Sequence, residues 1–323
     1  MTDESGPGGL RRRGWMGRAR LMRGRGSALP PPIKGMLWMI LAGLMFSVMN
    51  AMMREMTLQM DHFQAQFMRW ALSVLAFVPL VLRHGLAAHM PKHIGGQFTR
   101  GAVHTVGVTM WFTAVGQIPL ADMTAISFTA PLFAMVGAAV FLREPMRWER
   151  WMAVVMGFVG ILLVVGPKLS GGGGVYNLIM LASAPIFAAS ALITKRMTRY
   201  ESPSVIVAWQ AITVAICSLP LALLHWQTPT VLQTFVCMLS GFLGAIGHYF
   251  MTRSLVATDL SATQAVKFLE LLWAVLLGWL IFGDVSTEST LIGGAVICAS
   301  TLWVAHREAR HSRRVSREPP PPH

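Results

Sequence analysis

The sequence predicts an all-α integral membrane protein: ten transmembrane helices arranged as two inverted five-helix repeats. Three observations lead there. First, 54% of the 323 residues are hydrophobic and only 13% are charged, with a mean hydropathy of +0.54, whereas soluble domains carry about a quarter charged residues. Second, the apolar residues fall into ten segments, each near the roughly 20 residues that a helix needs to cross the hydrocarbon core. Third, the second half of the chain repeats features of the first at a spacing near 140 residues.

The chain opens with a basic tail, residues 1–34, containing RRRGWMGRARLMRGRG and then Pro30-Pro31-Pro32. Gly, Arg and Pro at this density cannot bury a core, so a disordered tail is expected. It is not a secretory signal, because the apolar stretch that follows is a full span without a small-residue cleavage site. The spans are expected at about 35–53, 63–82, 99–117, 120–142 and 150–167, then 175–194, 204–224, 231–251, 261–282 and 289–306. A Gly-rich linker, 168–174, separates a first unit, 35–167, from a second, 175–306, and a basic, Pro-rich tail occupies 307–323. The three cysteines, Cys217, Cys237 and Cys298, lie in apolar segments without metal-ligand spacing, and packing is their expected role.

Orientation follows from Lys and Arg in the short loops. With the N-terminus cytoplasmic, that side holds Arg83, Lys92, Arg100, Arg143, Arg147, Arg150, Lys195, Arg196, Arg199 and Arg253. The other side holds Arg54 and Lys168. Ten against two places both termini in the cytoplasm, and the plasma (inner) membrane is the expected location. The basic tails then face anionic lipid rather than nucleic acid.

The internal echo is carried by particular residues. Leu120 matches Leu260, Phe128 matches Phe268, Leu132 matches Leu272, Glu144 falls on Asp284, and Gly101 and Gly107 fall on Gly241 and Gly247. With a one-residue slip, Phe46 matches Phe187 and Pro79 matches Pro220. A unit of five helices is odd, so the second copy enters the membrane inverted, an arrangement used by transporters with a site at the repeat interface.

Several motifs add up to a resemblance. They are Ala125-Ile126-Ser127 through Pro131-Leu132-Phe133 to Leu142-Arg143-Glu144-Pro145, then Trp148 and Trp151, then Gly157-Phe158-Val159-Gly160. The second copy supplies Phe268, Leu272-Trp273-Ala274 and Phe282-Gly283-Asp284. With these the chain resembles the EamA family of the drug/metabolite transporter (DMT) superfamily, over roughly residues 35–306. It departs from the family where Glu270-Leu271 replaces a usual proline and where Asp284 replaces a usual glutamate. The resemblance implies a secondary, gradient-driven carrier of a small organic metabolite by alternating access, with no cofactor and no ATP.

The residues themselves agree that this is no enzyme: HExxH, GxSxG and Walker A are all absent, and there is no catalytic or metal-ligating constellation. The rival classes are a membrane enzyme acting on lipid-like substrates and a non-transporting scaffold. Charges within spans are the sharpest signal, since each costs roughly 2.5–3.5 kcal/mol at mid-helix and must face protein or water. They are Arg69, Lys267 and Glu270. Thr263, Gln264, Lys267 and Glu270 form one polar stripe on the ninth span. It is either the wall of a substrate cavity or a structural ion pair.

Arg69 either binds substrate or snorkels to the interface. His104 and His248, close in repeat register, are candidates for relaying H+, the candidate coupling ion, against a plain packing role. Gln210 is a hydrogen-bonding candidate, and Trp111 and Trp273 are candidate stacking surfaces or interfacial anchors. Pro131 is expected to kink the fourth span. Arg143, Glu144 and Asp284 are either gate charges or helix-end charges satisfied by water and headgroups, with Arg147 or Arg150 the expected partner of Glu144.

Overall fold

The computed structural model describes residues 29–118, 126–145, 147–165, 174–282 and 288–315, and among these it is helical throughout, with no strand. The helices are α1 (Pro31–Gln59), α2 (His62–Ser73), α3 (Val78–His84), α4 (Ile94–Val115), α5 (Ala130–Phe141) and α6 (Trp148–Val165). After Gly174 come α7 (Val175–Met197), α8 (Pro203–Leu224), α9 (Val231–Ala257), α10 (Leu260–Lys267), α11 (Leu269–Phe282) and α12 (Glu288–Val315). Five stretches are individually long and apolar enough to cross a bilayer: α1, His62–His84, α7, α8 and α9. Large apolar side chains such as Phe141, Leu223, Leu232 and Leu302 point outward, as lipid-facing surface does. This is a multi-pass membrane protein.

Local sequence explains where the helices begin. Pro residues occupy the first turns of α1, α3, α5 and α8, where a missing N–H costs no helical bond. The Asp61 carboxylate accepts from the Phe63 and Gln64 amides at 2.9 and 3.1 Å, and Thr230 with Gln233 closes a capping box at α9.

Two expected continuous spans are interrupted. A 3-10 turn, Val74–Phe77, separates α2 from α3. The ninth span breaks at Phe268, which is fully buried, stacks on Phe128 with ring centroids 5.7 Å apart and lies against Gly157. Next to it, Thr301 of α12 donates to the Ala265 carbonyl at 3.4 Å, and a side chain entering the helical ladder in this way bends a helix. Pro131 of the expected fourth span lies in the first turn of α5, directly after a turn at 128–129 that follows helical residues 126–127. Residues 119–125, the first part of that expected span, are outside the described residues, as is Asp284.

The most extensive helix contacts all join the part before Gly174 to the part after it. Helix α1 packs on α9, α4 on α7, α6 on α12, α2 on α8 and α9, α4 on α8, and α5 on α7 and α10. The two halves therefore interlock around a shared core. One cluster gathers Met53, Trp70, Phe112, Val214 and Cys237, and another gathers Met135, Ile161, Phe268 and Ile297. The three cysteines are unbridged.

Close approach of α2 and α9 depends on Gly241, where an added Cβ would lie 2.7 Å from the Arg69 carbonyl oxygen and 3.0 Å from the Ser73 nitrogen. Backbone cannot swing aside as a side chain can. Gly241→Ala is therefore expected to destabilise the protein by about 1–3 kcal/mol through overpacking, read as a lower melting temperature in detergent. An unchanged melting temperature would refute this account of the contact.

Candidate functional site

Three buried polar groups lie between the halves. The first borders a small cleft of about 30 Å³ lined by Met39, Ala130, Phe187, Met251, Gln264 and Lys267, among others. Lys267 ends α10, and Glu270 lies in the first turn of α11. The break at Phe268 thus sets the cation at a helix C-terminus and the anion at a helix N-terminus, the ends that each charge favours. It also separates them. The expected Lys267–Glu270 pair does not form within 4.0 Å, and among the described residues no carboxylate pairs with Lys267.

Glu270 instead turns to α1, where Asn50 donates to its carboxylate at 3.5 Å and Ser47 to its carbonyl at 3.2 Å. Of the remaining stripe, Gln264 reaches the cleft, while Thr263 bonds the Leu260 carbonyl of its own helix at 2.7 Å. Trp273 packs beside Gly43 of α1. Trp111 packs against Ala114, Ile118 and Met180 on one side and against the core cluster that contains Trp70 and Phe112 on the other.

The second group is centred on Trp70. Its ring lies 5.4 Å from those of His104 and His248, which are themselves 5.5 Å apart. Phe46 and Phe187 flank the two histidines at 4.9 and 5.5 Å, and Phe187 continues into the Lys267 cleft. His104 Nδ1 is 3.1 Å from the Ser190 hydroxyl. Arg69, 5% exposed, lays its guanidinium 4.4 Å over Trp70, which rules out snorkelling as its conformation.

Arg100 was counted above with the loop cations, but the structure buries it in α4 at 1% exposure. It donates to the Thr194 hydroxyl at 2.5 Å, the Ile206 carbonyl at 3.2 Å and the Gln210 side-chain oxygen at 2.6 Å. Gln210 is thereby a partner of Arg100. Arg100 sits six residues into α4, close enough to the span end to read as a loop charge. Only its polar partners on α7 and α8 mark it as internal.

The third group lies at the end of the bundle where α9 turns into α10. Arg150 donates to Glu308 at 2.9 Å, Asp259 at 3.0 Å and Ser261 at 2.7 Å. Glu144 does not pair with Arg147 or Arg150. Its carboxylate accepts from the Leu260 and Ser261 amides at 2.9 and 3.0 Å and from the Ser261 hydroxyl at 2.7 Å. The free N–H groups at the start of α10 draw it there, since a helix N-terminus is itself an anion site. Arg147 turns to Glu149 and Glu308, both at 3.4 Å. Arg143 is exposed, with a φ of 54°, at the turn that aims Glu144.

A multi-pass helical bundle whose buried charges come from both of its halves is built like a membrane transporter. A model of the EamA-like transporter family matches residues 33–166 and again residues 175–305. The chain belongs to that family; it is a small-metabolite transporter and not an enzyme. It is 32% identical to a riboflavin transporter of Rhizobium johnstonii, over 87% of this chain and 94% of that protein. It is 27% identical to an S-adenosylmethionine uptake transporter of Rickettsia felis, over 89% of this chain and 97% of that one. A crystal structure 18% identical in sequence covers 86% of this chain and 98% of its own, with a TM-score of 0.71, a likeness of fold.

Proposed function

We propose that this protein is a gradient-driven carrier that moves a small organic metabolite by alternating access. It is built as ten transmembrane helices in two inverted repeats, residues 35–167 and 175–306. Two successive matches to one family model support the duplication. So does the packing. Exchanging the halves turns the α1–α9 contact into α4–α7 and the α2–α9 contact into α4–α8, while α2–α8 and α6–α12 map onto themselves. Side chains obey the same exchange: Gly247 faces Phe46 as Gly107 faces Phe187. The loop charges favour both termini in the cytoplasm of an inner-membrane protein, with the basic tails against anionic lipid.

The observation that carries the reading is the Lys267 cleft, whose walls come from both repeats and whose neighbour is the Trp70–His104–His248 cluster. A site shared by two halves that rock against each other is alternately exposed to each side. Relatives named for riboflavin and for S-adenosylmethionine support a substrate that joins a flat heteroaromatic ring to a polar chain, for which the tryptophan and histidine rings are suited. Glu270 and the two histidines are the groups proposed to carry H+, and Arg143, Glu144 and Asp284 to gate the path.

Reconstituted proteoliposomes test this. Saturable flux of labelled riboflavin or S-adenosylmethionine is expected, falling to the protein-free level when a protonophore collapses the H+ gradient. Flux that never saturates and equals that of empty vesicles would refute the carrier, and saturable flux indifferent to the protonophore would refute H+ coupling.

A further inference from the structure

Resting on this carrier reading, the geometry points to an anion-binding subsite at Arg69, Trp70 and His248 that receives a carboxylate or phosphate of the substrate. The case begins with two buried arginines in unlike situations. In the repeat register, Arg69 of α2 corresponds to Gln210 of α8, and Arg100 of α4 corresponds to Ser240 of α9. The exchanged halves therefore hold the same pocket twice, with the arginine on a different wall. In the Arg100 pocket every guanidinium nitrogen has an oxygen acceptor: Thr194, Ile206 and Gln210. In the Arg69 pocket the guanidinium donates only to the Met49 sulfur, at 2.8 Å. Its Nε has no partner.

Two neighbours share this lack. Trp70 Nε1 and His248 Nδ1 are buried without a hydrogen bond, and their rings are 5.4 Å apart. Arginine and the indole N–H are donors only, so neither can satisfy the other. What both require is an acceptor. Among the described residues no carboxylate lies within 4.0 Å of Arg69, and a buried charge without a counter-ion is costly. A group with several anionic oxygens supplies what the pocket lacks. Arg100 is a structural tie between the repeats, and Arg69 is a charge held for a ligand.

The test compares purified full-length native protein, Arg69→Met and Arg100→Met in thermal melts. Each is measured alone and with two probe pairs that differ in one anionic group. The pairs are riboflavin and riboflavin 5′-phosphate, and decarboxylated S-adenosylmethionine and S-adenosylmethionine. Without ligand, Arg69→Met is expected to melt no lower than the native protein, whereas Arg100→Met melts several degrees lower. The anionic member of at least one pair is expected to raise the native melting temperature more than its counterpart, and that difference vanishes in Arg69→Met.

A fall in Arg69→Met as large as in Arg100→Met overturns the subsite. So does an equal response, including none, to both members of both pairs. Flux keeps the two conclusions apart. Saturable transport of the anionic probe by Arg69→Met with native KM refutes the subsite alone, and absence of flux for a probe that stabilises the native protein refutes the carrier.

Discussion

Lys267→Ala is expected to abolish transport while leaving a folded, inserted protein. Lys267 is the one charged residue lining the described cleft, and no carboxylate among the described residues holds it. Lys267 is half-buried, and removing a charge that no carboxylate holds relieves its partial desolvation rather than exposing a new cost, so the melting temperature should hold or rise. A group that contacts substrate is another matter. Truncating one partner of a buried charged contact costs about 2–5 kcal/mol, equivalent to about 30-fold to several thousand-fold in affinity. Transport per inserted molecule should fall by at least the lower figure, with Lys267→Arg restoring part of it. Native flux kinetics in Lys267→Ala would remove Lys267 from the pathway.

Arg150→Ala is expected to produce the largest loss of stability. Arg150 and Glu308 are both 5% exposed at the side chain, against 41% for Asp259. Asp259 is therefore solvated and contributes little, and the Arg150–Glu308 pair dominates. Breaking such a buried pair costs up to about 3–5 kcal/mol, lessened here because Glu308 keeps Arg147 at 3.4 Å and Arg150 keeps Asp259 at 3.0 Å. Glu308→Ala should cost nearly as much as Arg150→Ala, Asp259→Ala well under half as much, and the double variant Arg150→Ala/Glu308→Ala clearly less than the sum of its singles. Additive melting shifts across that cycle would mean that the two residues do not act as a pair.

The sequence disclosed what membrane chemistry makes conspicuous. Apolar runs of span length, the motifs around Leu142-Arg143-Glu144-Pro145, and charges such as Lys267 and Glu270 stand out because each is rare in its surroundings. His104 and His248 stand close in the repeat register, but that their rings lie 5.5 Å apart is a matter of tertiary packing that register alone does not imply. Features set by tertiary contact were hidden. Nothing at Phe268 signals a break, having neither Gly nor Pro; the interruption comes from Phe128, Gly157 and Thr301, distant in the chain. Arg100 and Arg150 lie within a turn or two of helix starts, where a basic residue normally reaches water, and only their partners on other helices reveal that both are buried. The partner of Glu144 was hidden for the same reason, since it is a backbone terminus rather than a side chain of opposite charge.

The break at Phe268 has a consequence for how the protein is made. At about 1.5 Å per residue, the 8 residues of α10 and the 14 of α11 reach about 12 and 21 Å, so neither alone crosses a hydrocarbon core about 30 Å thick. On the ten-span reading they enter the bilayer together, carrying Lys267 and Glu270 with them, and each charge makes that stretch less favourable to insert. Helix α1 leaves the ribosome long before it, already carrying the Ser47 and Asn50 that bind Glu270. The N-terminal half thus acts as an internal docking partner for the late-arriving charged segment, and biogenesis of the site runs in the order of synthesis.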